Sequence, residues 1–151
     1  MSFVFSALPM GEPDQTTTRA RVVVADDPNS YPCRRCLRDA EAAERLLLLP
    51  YDPFAHASPY TGEGPIFVHV HACTPHVPGG EVPDQVRRRL VSVRGYDAAA
   101  MLTAAEVVEG AELEPVLDRI LAEQGTEYAH LHYARPGCFA CRVDRNGPTA
   151  A

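Results

Sequence analysis

The chain contains no lysine: all 14 of its basic residues are arginine. That excludes a lysine Schiff base or a lysine general base. With the abundant alanine and proline, it reads as the coding bias of a GC-rich genome. No apolar run approaches the ~18 residues that a membrane-spanning helix needs. Residues 1–10 lack the basic start and longer apolar stretch of a signal peptide. A cytoplasmic location is therefore expected, where thiols serve as metal ligands or redox groups more often than as disulfides. The net charge is −6, and the only basic run, Arg87-Arg88-Arg89, reads as a solvated strand edge. Neither nucleic acid nor a membrane is an expected partner. GxGxxG, Walker, GxSxG and HExxH motifs are absent, as are internal repeats and low-complexity segments.

What remains is a 151-residue chain with 46% apolar and 23% charged residues, the composition of one ordinary globular domain spanning 1–151. Residues 1–18 and 147–151 are expected to be less ordered. Arg21–Ala25 and Leu46–Leu49 read as buried strands, the second ending at Pro50. Six prolines and glycines between Pro50 and Pro65 mark a long loop. Ile66–Cys73, Arg88–Tyr96 and Tyr128–Ala134 alternate in the manner of strands, and Met101–Val108 suits a hairpin partner for the second of these. Leu113, Val116, Leu117, Ile120 and Leu121 repeat at helical spacing and predict a helix over 111–123, with Pro115 in its first turn and Gly125 past its end. Thr103 to Glu106 offers an alternative, earlier start as a capping box. The fold class is α+β, with a mainly antiparallel sheet, barrel-like closure being one option, and one principal helix.

Two CxxC pairs, Cys33-Arg34-Arg35-Cys36 and Cys138-Phe139-Ala140-Cys141, use four of the five cysteines. Each can offer two thiolates to one ion, and four thiolates make a closed, structural zinc site. Cys33, Cys36, Cys138 and Cys141 are therefore the candidate metal ligands, with Gly137 easing the second turn and flanking arginines offsetting the thiolate charge. The rival reading is redox: Cys33 and Cys36 would act as a thiol–disulfide pair if Leu37–Leu46 formed a helix after the motif, the thioredoxin-like arrangement.

Histidines supply a second pattern. His69, His71 and Cys73 share one face of a strand, and His130 and His132 share a face of another. If those strands converge, an open site for a second transition metal becomes available, completed by a loop carboxylate such as Asp52 or Glu63. The plain alternative is the polar side of a half-exposed sheet. Asp39, Glu41 and Glu44 read as a solvated acidic face.

Several segments are familiar together: Pro32-Cys33-Arg34-Arg35-Cys36-Leu37-Arg38-Asp39-Ala40-Glu41, Leu47–Asp52, Ser58-Pro59-Tyr60 through Val68, Arg87–Asp97, Ala105–Gly110 and Gly137–Arg145. On these the chain resembles the family catalogued as domain of unknown function 1203, over roughly residues 20–146. The resemblance implies a small bacterial single-domain protein and carries over no activity, cofactor or catalytic residue. The leading reading is a zinc-binding module with a histidine-bearing sheet face (His69, His71, His130, His132) for an unidentified small molecule or protein partner. A metal-dependent enzyme on those histidines is the second reading, and a thiol oxidoreductase the third.

Overall fold

The computed structural model describes residues 2–146. These residues form eight strands: β1 (Ser2–Ser6), β2 (Arg21–Val24), β3 (Arg45–Tyr51), β4 (Gly64–His69), β5 (Leu90–Tyr96), β6 (Leu102–Glu109), β7 (Tyr128–Tyr133) and β8 (Phe139–Asn146). Two helices accompany them, the single turn α1 (Asp84–Arg87) and α2 (Leu113–Ala122), the latter entered through a 3-10 turn at Gly110–Glu112. The strands form two antiparallel sheets, ordered β1-β8-β7-β5-β6 and β2-β3-β4. This is an α+β architecture. The larger sheet stays open, with β1 and β6 as its edges, so it is not a barrel.

Each sheet owns a core. Val91, Val93, Ala129, Leu131, Cys141 and Val143 alternate onto one face of the five-stranded sheet and meet Leu113, Val116, Leu117, Ile120 and Leu121 of α2, the five positions whose spacing predicts the helix. Pro115 sits in the first helical turn, where its missing N–H costs nothing. The second core lies under the three-stranded sheet. Leu46, Leu49, Ile66 and Val68 pack there against Cys33, Cys36 and Phe139. Phe139 starts β8, so the two cores abut along that strand.

Departures from the sequence reading have local causes. Of the β2 valines only Val23 turns toward the second core, and it is half-buried; Val22 and Val24, on the opposite face of this edge strand, are more than half exposed. β3 runs through Pro50 to Tyr51. Pro50 lies opposite Pro65 and beyond the end of β2, so its absent N–H is not missed. Thr103 to Glu106 lie in β6 and cap no helix. Ser2–Ser6, in a stretch expected to be loosely ordered, pairs with β8 from Ser2↔Asn146 to Ser6↔Arg142. The other such stretch, 147–151, lies outside the described residues. Among the described residues no helix is long and apolar enough to cross a membrane.

Candidate metal centre

The first CxxC lies in a loop that behaves as an extra strand. Cys33 bridges Phe67 of β4 in parallel, and the Arg34 N–H donates to the Phe67 carbonyl at 2.9 Å. The chain then turns back tightly. Leu37 N–H donates to the Cys33 carbonyl, Cys33 N–H donates to the Arg38 carbonyl, and Leu37 adopts a left-handed φ of 55°. Residues 37–44 contain no helix. The thioredoxin-like arrangement, in which the motif opens a helix, is therefore not the one adopted.

Bridging to β4 brings the CxxC to the end of that strand, where His69 stands. Beyond His69 the chain leaves the sheet and curls, and Cys73 returns over the same spot. The ligand atoms of Cys33, Cys36, His69 and Cys73 all lie within 4.8 Å of one another. Cys33, Cys36 and His69 are buried, and Cys73 is half-buried. Cys36 Sγ is 3.7 Å from His69 Nδ1. An ideal zinc tetrahedron would set sulfur and nitrogen about 3.6 Å apart, given the usual bond lengths.

The surroundings suit such a cluster. The Cys36 side chain, then the backbone N–H groups of Cys36, His69 and Arg35, hold Cys33 well below the ordinary thiol range, against the opposing effect of burial. The charged form preferred there is the one that binds metal. Cys36 is pushed the other way, chiefly by its hydrogen bond with Cys33 and by burial. Cys73 is also raised, first by burial, while Arg35 Nη1, 3.7 Å from its sulfur, pulls against that. Arg35 further donates to the His69 carbonyl and pairs with Glu12. On the far side of the His69 ring, Nε2 is 3.2 Å from Glu44 Oε1, and the other Glu44 oxygen is 2.9 Å from Nε2 of exposed His71. A carboxylate behind a ligating histidine is the usual outer shell of a zinc site.

The sequence-level candidates divide accordingly. Cys33 and Cys36 come together, joined by His69 and Cys73. Cys138 and Cys141 do not join them. A close CxxC needs a tight turn, whereas Cys141 lies within the extended β8, opposite Leu131, and is fully buried in the α2 core. Burial there pushes its thiol up to about 12. Cys138 sits just before the strand, and its sulfur accepts a hydrogen bond from Arg34 Nη2 at 2.9 Å. Gly137 does make the expected left-handed turn, with φ of 81°, but that turn closes a β7–β8 hairpin.

Nor do the histidine strands converge. β4 and β7 belong to different sheets. His130 is fully buried among the rings of Phe54, Tyr96, Tyr128 and Phe139, and burial lowers it to about 3. His132 bonds the Gly137 carbonyl through Nδ1 and is lowered to about 4, again mainly by burial. No metal-capable group among the described residues includes either one. Asp52 caps its own loop by accepting the Phe54 N–H, and Glu63 pairs with Arg19, so neither completes a triad.

Two residues read as solvated acids have specific tasks. Glu44 orients the histidines. Asp39, with its side chain only 3% exposed, is held by Arg88 and Arg89. The arginine run is correspondingly engaged rather than free, since Arg87 pairs with Glu114. Glu44 carried no sequence signal, because its partner lies on a neighbouring strand. Cys73 did carry one: it was the odd cysteine, four residues after His69 on a strand expected to be histidine-bearing.

Neither the curated proteins nor the solved structures gave a match to this chain. A family model does match, over residues 30–145, from just before the CxxC to the last strand. The chain belongs to the family described as protein of unknown function (DUF1203).

Proposed function

We propose that this chain is a binding module built around one structural zinc ion, held by Cys33, Cys36, His69 and Cys73. The observation that carries the reading is the placement of His69, with Nδ1 in the thiol cluster and Nε2 on a carboxylate. Three sulfurs and one nitrogen fill a tetrahedron and leave no position for substrate, which is the pattern of a structural site rather than a catalytic one. Thiol-rich coordination also favours zinc over magnesium or calcium. The ion would fasten the 30–44 loop to the end of β4, replacing contacts that a loop with no helix of its own cannot make. The work of the protein then falls to surfaces that this fastening holds in place.

The test is metal content per chain by mass spectrometry on tag-free protein. The expected result is one zinc in the wild type, none in Cys33→Ser or Cys73→Ser, and one retained in Cys138→Ser and Cys141→Ser. A folded, metal-free wild type would overturn the reading and return Cys33 and Cys36 to thiol chemistry. Loss of the ion from Cys138→Ser and Cys141→Ser with retention in Cys73→Ser would overturn the ligand set.

A further inference from the structure

Arg34 is an ionised side chain with no carboxylate. It is fully buried, one of the largest side chains in the protein with no exposure. Its guanidinium donates to the carbonyls of Phe139 and Pro32 and to the sulfur of Cys138. That engages three of its five N–H groups. None of the ion pairs among the described residues includes it. A guanidinium stays charged at any physiological pH, and burying a charge without a counter-charge is costly. Something should repay that cost.

Arg34 lies just behind the wall of a cavity of about 460 Å³ where the two sheets meet, a volume within the range of small-molecule sites. Phe67 and Leu48 of the small sheet form one wall; Leu90 and Tyr133 of the large sheet form the other. The Tyr133 ring is flanked by guanidiniums, Arg34 at 5.1 Å and Arg89 at 5.0 Å from its centroid. Arg88 and Arg89 share Asp39, but exposed Arg135, also at the cavity wall, is in none of those ion pairs. The opposing charge on the lining is a single Glu109. The space is thus apolar in its walls, aromatic on one side and cationic in balance, on a chain whose overall charge is −6.

We infer that this cavity binds a small organic oxyanion with a flat apolar body, the anionic group paired with Arg135 within the field of buried Arg34, and the body between Phe67, Leu48 and Leu90. Planar guanidiniums are matched to two-oxygen anions, and an aromatic wall accepts a flat body. The inference rests on the binding-module reading and names its ligand class. It does not depend on the ion, because no zinc-ligand residue lines the cavity.

The experiment is calorimetric titration of the protein as isolated, with its metal content measured on the same preparation. The probes are 2-naphthoate, 1-naphthyl phosphate and the neutral 2-naphthylmethanol. One saturable site is expected, with an anion preferred over the neutral probe by about tenfold or more, the worth of a charge-assisted hydrogen bond. Arg135→Gln, at an exposed position that leaves the fold intact, should abolish most of that preference. Arg34→Met should abolish the rest, provided its circular dichroism matches the wild type; if it does not fold, Arg135→Gln alone decides. The better of the two anions tells carboxylate from phosphate. No anion binding, equal affinity for the neutral probe, or an unchanged preference in Arg135→Gln would overturn the inference. Because zinc is counted separately, an empty cavity in a zinc-loaded protein and a filled one in a zinc-free protein are distinguishable failures.

Discussion

His69 stands between Cys36 and Glu44: its Nδ1 lies 3.7 Å from the Cys36 sulfur and its Nε2 3.2 Å from the Glu44 carboxylate. A proton on Nε2, donated to that carboxylate, would leave Nδ1 free to give a lone pair to a metal. Glu44→Gln keeps the size but loses the charge. It should weaken metal binding by about 10- to 100-fold without removing the site, as loss of a partner behind a histidine ligand does elsewhere. Competition against a chromophoric chelator would measure this; an unchanged affinity would mean that Glu44 serves only His71.

Metal and fold should be linked. Binding restricted to the native state adds to stability by mass action. A strong chelator should therefore lower the Tm of the wild type but leave that of Cys73→Ser where it already is. Differential scanning calorimetry with and without chelator gives both numbers, and equal Tm values for the wild type in the two conditions would disprove the linkage.

Acid should unfold the protein through His130. Its pKa is about 3 in the fold against 6.5 when free. Between those values the unfolded chain binds the extra proton and the native state does not, so stability rises with pH across that window and is lost as pH falls from about 6.5 toward 3. The contribution is on the order of a few kcal/mol, given about 1.4 kcal/mol per unit. His130→Phe, an apolar ring among four others, should flatten the slope. It should not abolish it, because His132 is lowered as well. Urea midpoints at pH 4 and pH 7 test this, and an unchanged difference between them in the variant would refute it.

Gly110 is sterically required. A Cβ there would meet the Val86 carbonyl oxygen at 1.9 Å, so α1 lies directly against the start of the 3-10 turn. Gly110→Ala must push that backbone away and should cost roughly 1–3 kcal/mol, the usual range for overpacking. A urea midpoint equal to that of the wild type would show that α1 yields freely.

Much of the scaffold was legible because it rests on local periodicity. The α2 stripe, the alternation in β5 and β7 and the turn at Gly137 are all properties of contiguous residues. The candidate metal centre was half legible. Cys33 and Cys36 announce themselves by spacing, but their partners come from the far end of β4 and the loop beyond it. The Cys33–Phe67 bridge that brings them there is a long-range backbone contact with no sequence mark. The second CxxC lies apart from the first for the converse reason, since spacing alone does not distinguish a knuckle from the start of a strand. Cys141 follows the inward alternation of β8 with Val143, and its sulfur went to the core with it.

Arg34 has one more consequence. It belongs to the loop beside the small sheet, yet its strongest hydrogen bonds include one to the Phe139 carbonyl of the large sheet, 105 residues away. The loop that carries Cys33 and Cys36 is thus also the rivet between the two halves of the molecule. The sheets should not melt in turn. Releasing the loop strips a buried cation of its acceptors and opens both cores along β8, so the chain should lose its structure in one cooperative step.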